Sequence, residues 1–228
     1  MGEKPPIFRN SYWILRHGKS IPNERGLIVS SLENGTRAEF GLASQGVEQA
    51  RLAAELLQKE LKEKNIPLDN VRICYSPFAR TIDTAKEVAS VLDISFESPK
   101  CKAMTELRER YFGPSFELLS HDKYTEIWAL DEKDPFMPPD GGESVADVAS
   151  RLSTALASIE AMFQGTTVLI VSHGDPLQIL QAVLCATKED VSSGQEDIVS
   201  RTKQVMVHSV LSQHRRFALL TGELRQVI

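Results

Sequence analysis

Three apolar runs constrain folding most: YWIL at 12–15, VRICY at 71–75 and TVLIV at 167–171. Each has the length of a buried strand, and residues with helical periodicity follow each of them in the chain. Strands that alternate with helices predict an α/β fold, a three-layer sandwich with a mostly parallel central sheet and helices on both faces.

The helical stretches carry their own punctuation. Over 42–64, Val47, Ala50, Ala54, Leu57 and Leu61 recur on one face, and Pro67 closes the pattern. Ser76 and Pro77 read as an N-cap and a first-turn proline for a helix running through Leu92. Ser144 with Asp147 makes a capping-box pattern ahead of Val145, Val148, Leu152, Leu156, Ile159 and Phe163, and Gly165 ends that helix. After TVLIV, Asp175 is expected to cap a further helix with Pro176 at its first position. A weak strand is expected at ISF (94–96), and two more in QVMVHSVL (204–211) and FALLTGEL (217–224). Residues 99–141, rich in Pro, Gly, Asp and aromatics, predict loops and short helices, a lid-like insertion within one domain spanning 1–228.

In an open parallel sheet, ligands bind outside the carboxyl ends of the strands. Those ends read Arg16-His17-Gly18, Ser76-Pro77-Phe78-Ala79-Arg80 and Ser172-His173-Gly174. Two arginines, two histidines and helix N-termini at one sheet edge suit a phosphoryl group, because guanidinium forks and free backbone N–H groups match its oxygens. A neutral imidazole adds a nucleophile, and Glu106 or Glu109 in TELRERYFG can supply the proton for a leaving oxygen.

The rest of the chain restricts what that site serves. A formal charge of −5 argues against a nucleic-acid or anionic-membrane partner, so any basic pocket is local. No apolar run reaches membrane-span length, the start of the chain lacks the apolar core of a secretory signal, and Cys74, Cys101 and Cys185 make no disulfide framework. A cytoplasmic protein acting on a small phosphorylated substrate is expected.

The ordered motifs resemble those of the histidine phosphatase, or phosphoglycerate mutase-like, superfamily. RHG stands at 16–18, the family's asparagine matches Asn23, and LASQGVEQA at 42–50 resembles its LTxxGxxQA segment. SPFAR matches SPxxR, LRERYFG resembles LxExxxG and so selects Glu109 over Glu106, and GGES and SHG complete the series to about residue 175. The resemblance implies His17 as the phosphorylated nucleophile and Glu109 as the acid. It implies Arg16, Arg80 and His173 as catalytic groups around the phosphoryl, and Asn23, Gly18, Gly174 and Arg110 as substrate-binding positions. No cofactor or metal is implied.

Phosphatase is favoured over mutase. Between Gly113 and Glu143 stand Glu117, Asp122, Glu126, Asp131, Glu132, Asp134, Asp140 and Glu143 against only Lys123 and Lys133, where a mutase should offer positive charge. Pro22 also replaces a tryptophan common in the mutases, and Arg215-Arg216 lie far along the chain. An inactive scaffold would not need every catalytic position filled, and a metal bound by His17, His173 and Glu109 would face two arginines.

Overall fold

The structure, a computed structural model, describes residues 7–189 and 197–228. Residues 1–6, part of the opening stretch read for a secretory leader, lie outside them. One sheet contains β1 (Ser11–Arg16), β2 (Val71–Tyr75), β3 (Cys101–Ala103), β4 (Thr167–Ser172) and β5 (Leu224–Gln226). Its order is β3-β2-β4-β1-β5, parallel except for β5, which runs antiparallel to β1. All six residues of β4 are buried, as a central strand covered on both faces requires.

Helices follow in the order α1 (Ile21–Arg25), α2 (Leu32–Gly35), α3 (Ser44–Glu63), α4 (Ala79–Val91), α5 (Tyr124–Lys133), α6 (Val145–Met162), α7 (Gly174–Glu189), α8 (Ile198–Gln204) and α9 (His208–Leu211). Alternate strand residues face opposite layers. Tyr12, Ile14, Cys74, Val168 and Ile170 pack with Val148, Leu152, Leu156, Leu180 and Val183 of α6 and α7. Trp13, Leu15, Ile73, Leu169 and Val171 pack with Ala54, Leu57, Ala85 and Val88 of α3 and α4. The expected three layers are therefore present. The capping box of Ser144 and Asp147 also forms.

Several local expectations are corrected. Ile94–Phe96 is not a strand: Ile94 is buried in the α3–α4 core after a tight turn at Asp93 (φ +54°), and pairing with β2 starts only at Cys101. Residues 204–211 end one helix and form another, with Val205 and Leu211 turned into the α6–α7 core. Of residues 217–224, Phe217 closes a 3-10 turn, 218–223 form an irregular turn, and only Leu224 belongs to a strand, as the first residue of β5. Ser76 does not cap a helix, because α4 starts at Ala79 and the Ser76 hydroxyl has another partner. Gly174, not Pro176, opens α7, so Asp175 lies inside its first turn.

The irregular stretch lies along the 26–31 segment. Ile28 exchanges backbone bonds with Leu118 and Leu119, and His121 N–H donates to the Gly26 carbonyl. A small core of Ile28, Phe112 and Ile127, flanked by Phe116 and Tyr124, packs this layer.

Candidate active site

Register brings the chemistry together before any side chain is considered. Arg16 pairs with Ser172 across β1 and β4, and Tyr75 pairs with Val171 across β2 and β4, so the three strands end at one level. The next residues are His17, Ser76 and His173. Arg80 rises from the first turn of α4 beside them. His17, Arg80, His173 and Glu109 are all buried.

The contacts among them are short. Arg80 Nε–H is shared between His17 Nε2 and His173 Nδ1, at 3.2 Å to each. Arg80 Nη2 donates to the Val29 carbonyl at 3.0 Å and lies 3.7 Å from Glu109 Oε2. That same oxygen is 3.8 Å from His173 Nδ1. Arg16 Nη1 donates to the Leu219 carbonyl at 2.6 Å. Arg16 Nε and Arg80 Nη1 are buried and have no hydrogen-bond partner among the described residues, leaving two cationic N–H groups for an anion.

Tautomers follow from the partners. His17 Nδ1 lies 2.8 Å from the Gly18 carbonyl and must donate to it, so Nε2 carries the lone pair. His173 accepts at Nδ1, so its Nε2–H donates to Ser76 Oγ at 2.7 Å. Burial, then the charges of Arg80 and Arg16, hold the His17 pKa well below the usual imidazole value. Burial and Arg80 do the same for His173. Burial pushes Glu109 the other way, up to about 7, with Arg80 pulling it down and Asp175 adding a smaller upward push. A neutral imidazole and a carboxylic acid thus stand on one buried floor near neutral pH, a pairing suited to nucleophilic attack with protonation of a leaving group.

Above the floor opens a cavity of 490 Å³, with Arg16, Glu109 and Gly174 on its lining. Its outer wall is built by two segments remote in sequence, one supplying His121, Tyr124 and Trp128 and the other Arg215, Ala218, Leu219 and Thr221.

A profile of the histidine phosphatase superfamily (branch 1) matches residues 12–206, which span this floor from β1 to α8. The chain belongs to the histidine phosphatase superfamily. A 2,3-bisphosphoglycerate-dependent phosphoglycerate mutase of Rhizobium etli is 27% identical over 175 residues, covering 74% of this chain and 77% of the mutase. A metal-independent phosphoserine phosphatase of Arabidopsis thaliana is 27% identical over 186 residues, covering 79% and 70% of the two chains. Among solved structures, a mycobacterial glucosyl-3-phosphoglycerate phosphatase superposes with a TM-score of 0.61 at 25% identity, over 85% of this chain and 84% of that one. The relatives therefore include both phosphatases and a mutase.

Within this histidine phosphatase fold, the substrate-binding positions divide. Gly18 is fixed by close approach, since a Cβ there would lie 2.1 Å from the Gly46 carbonyl oxygen. Gly174 lines the cavity at the N-terminus of α7, where backbone N–H groups are free for an anion. Asn23 also lines it, although its Oδ1 accepts from Ser20 in the capping box of α1. Arg110 is a correction. Its side chain is fully buried and forks onto Asp131 (2.7 Å twice), with a further 3.1 Å bond to Asp175, so its donors are taken by carboxylates and it does not line the cavity.

Other participants were missed. Ser76 was read as a cap, yet it fixes the His173 tautomer; Val29 and Leu219 supply carbonyls that orient the two arginines. His214 and Arg215 gave no local signal, because their partners are remote in sequence. Asp131, Asp175 and His214 cluster as metal ligands might, but Arg110 already donates to both carboxylates, so their charge is met from within the chain. The acidic lid is also reinterpreted: none of its eight acids lines the cavity. Glu117 accepts from Ser30, Ser31 and Asn34, Asp131 from Arg110, and Glu143 from Arg108 and Arg151.

Proposed function

We propose that the protein is a phosphomonoester hydrolase working through a phosphohistidine at His17. The observation that carries this is the shared floor: a neutral His17 with Nε2 as its lone-pair nitrogen, two arginine N–H groups awaiting an acceptor, and a protonated Glu109. In the first step, Nε2 forms a bond to phosphorus as the ester P–O bond breaks, and Glu109 gives its proton to the departing oxygen. In the second, Glu109 takes a proton from water as the water oxygen bonds to phosphorus and the N–P bond breaks, releasing phosphate. Arg16, Arg80 and the N-terminus of α7 stabilise the charge on the phosphoryl oxygens in both steps.

Arg80 has a second task. Its Nε–H now occupies the lone pair of His17 Nε2, so the donor has to turn toward a phosphoryl oxygen before attack. An arriving anion thereby uncovers the nucleophile. No metal enters this scheme, and activity is expected to survive a strong chelator. Three free thiols support a reducing, cytoplasmic setting.

The test is to quench the enzyme during turnover of a labelled phosphomonoester. An acid-labile, alkali-stable phosphoryl group on His17 is expected; steady turnover with none trapped, and the same rate in His17→Ala, would refute the scheme. Mutase activity is the second reading. It regains weight because none of the lid acids lines the cavity while Arg215 and Lys19 do. Interconversion of 2- and 3-phosphoglycerate without phosphate release would establish it over hydrolysis.

A further inference from the structure

The cavity is larger than a phosphoryl group needs. At 490 Å³ it falls in the range of sites that take a whole small organic ligand, about 300–1,000 Å³. Its outer part has three basic side chains, and they differ in what they can still bind. Lys19 Nζ is directed to Gln45 Oε1 at 3.0 Å, on the exposed surface. His121 gives its Nε2–H to the Leu27 carbonyl at 2.9 Å, and burial lowers its pKa, so it carries no charge at neutral pH. The Arg215 side chain donates no hydrogen bond among the described residues.

Its guanidinium carbon lies 3.6 Å from the centre of the Trp128 ring. Trp128 in turn stacks on Tyr124, with centroids 5.7 Å apart and planes within 9°. The carboxylate that pairs with Arg215, Glu132, is 3.9 Å away and 69% exposed, too long and too wet to hold it. A guanidinium stacked on an aromatic face is fixed in orientation while its in-plane N–H groups remain open to a bidentate anion. Acids in the cavity offer little competition, since Glu109 is neutral below about pH 7 and Asp175 is bound by Arg110 at 3.1 Å.

We propose that Arg215 is a specificity-determining residue that takes a second anionic group, a carboxylate or a phosphate, on the carbon body of the substrate. The inference rests on the phosphomonoester chemistry assigned to the floor. Gln178 lines the same cavity with a buried Oε1 that has no hydrogen-bond partner among the described residues. It accepts from a hydroxyl or ammonium on that body. The substrate class is then a small polar organic phosphate with two anionic ends, held by the floor at one and Arg215 at the other.

The experiment compares kcat/KM for three phenyl phosphates substituted at the para position with a carboxylate, a second phosphate or a neutral carboxamide. Each anionic-to-amide ratio is taken in wild type, Arg215→Gln and Arg215→Lys, so that intrinsic leaving-group differences cancel between enzymes. Charge-assisted hydrogen bonds of this kind predict that each responsive ratio falls by roughly tenfold to a hundredfold in the Gln variant, with partial retention by Lys. A response of only one ratio tells carboxylate from phosphate. Ratios that stay put in both variants, with all three compounds hydrolysed, overturn the role of Arg215 and leave the hydrolase intact. Failure of the wild type to cleave any of the three, with no phosphoenzyme, removes the hydrolase assignment and this inference with it. Arg215 is half-exposed, and melting curves that match wild type confirm that the variants are folded.

Discussion

The floor of the cavity and its outer wall are built by opposite means. The floor sits where β1, β2 and β4 end at one level, so sheet register fixes the backbone beneath His17, Ser76 and His173. The wall is assembled by contacts between remote segments: Arg215 on Trp128, His214 near Asp131 and Asp175, and the Leu219 carbonyl on Arg16. Chemistry that tolerates little displacement thus rests on the part of the fold that can move least. Selectivity falls to a surface that substitutions can reshape without disturbing the strands.

If that division holds, floor variants lose catalysis outright and wall variants change preference or stability. The largest loss is expected for His17→Ala, in which phosphoenzyme disappears and turnover falls by about 10⁴ or more, since no other group supplies the nucleophile. Stopped-time assays at high enzyme concentration measure the residue. Activity within tenfold of wild type would mean that the floor is not where the bond is broken.

Glu109→Gln comes next. The acid is pushed up to about 7, so it is protonated below that pH and ionised above it. The first step needs the protonated form, and kcat/KM is expected to fall as pH rises through about 7. The Gln variant loses this limb and about 10²–10⁴ in rate for alkyl phosphates. It loses far less for 2,4-dinitrophenyl phosphate, whose leaving oxygen needs no proton. An identical alkaline limb in the Gln variant would assign the titration elsewhere, such as to the substrate's own ionisation near about pH 6. Arg80→Ala follows at about 10²–10³, the usual effect of removing one charge-stabilising donor, and phosphoenzyme should still form slowly.

The same division explains what could be read from the sequence. Floor residues sit within a few positions of an apolar strand, so RHG, SPFAR and SHG announced both their element and their place at its end. Errors arose where burial imitated a strand. Ile94 is buried because it packs on α3 and α4, not because it pairs, and the valines at 205 and 207 alternate in sequence although Val205 is buried at the end of a helix and Val207 is exposed. The wall's contacts were illegible for a different reason. Arg215 meets Trp128 from a segment remote in sequence, and no local pattern encodes their contact. Charge counting over 113–143 misled because it ignored partners: Glu117 serves hydroxyls and an amide of the 30–34 segment, and Asp131 is consumed by Arg110.

The smallest effect, and the sharpest test of how the wall is fastened, concerns His214. Its ring is fully buried, with Nδ1 2.8 Å from the Leu211 carbonyl and Nε2 3.7 Å from Asp175 and 3.9 Å from Asp131. Both nitrogens therefore face oxygen, a setting that favours the imidazolium. Burial opposes the charge, but Asp175, the Leu211 carbonyl and Asp131 outweigh it and raise the pKa, with Arg110 the cation that also donates to both carboxylates. His214→Gln should cost about 2–4 kcal/mol of stability at acidic pH, where breaking one partner of a buried charged cluster is most expensive. A folded pKa above the unfolded value near 6.5 means that the contribution is complete below that value and fades as pH climbs through the raised one. The gap in stability between wild type and variant should then be widest below about pH 6.5 and narrow as pH climbs above it. A gap that stays constant or widens would show that His214 fastens the wall as a neutral ring, by packing and the Leu211 bond alone.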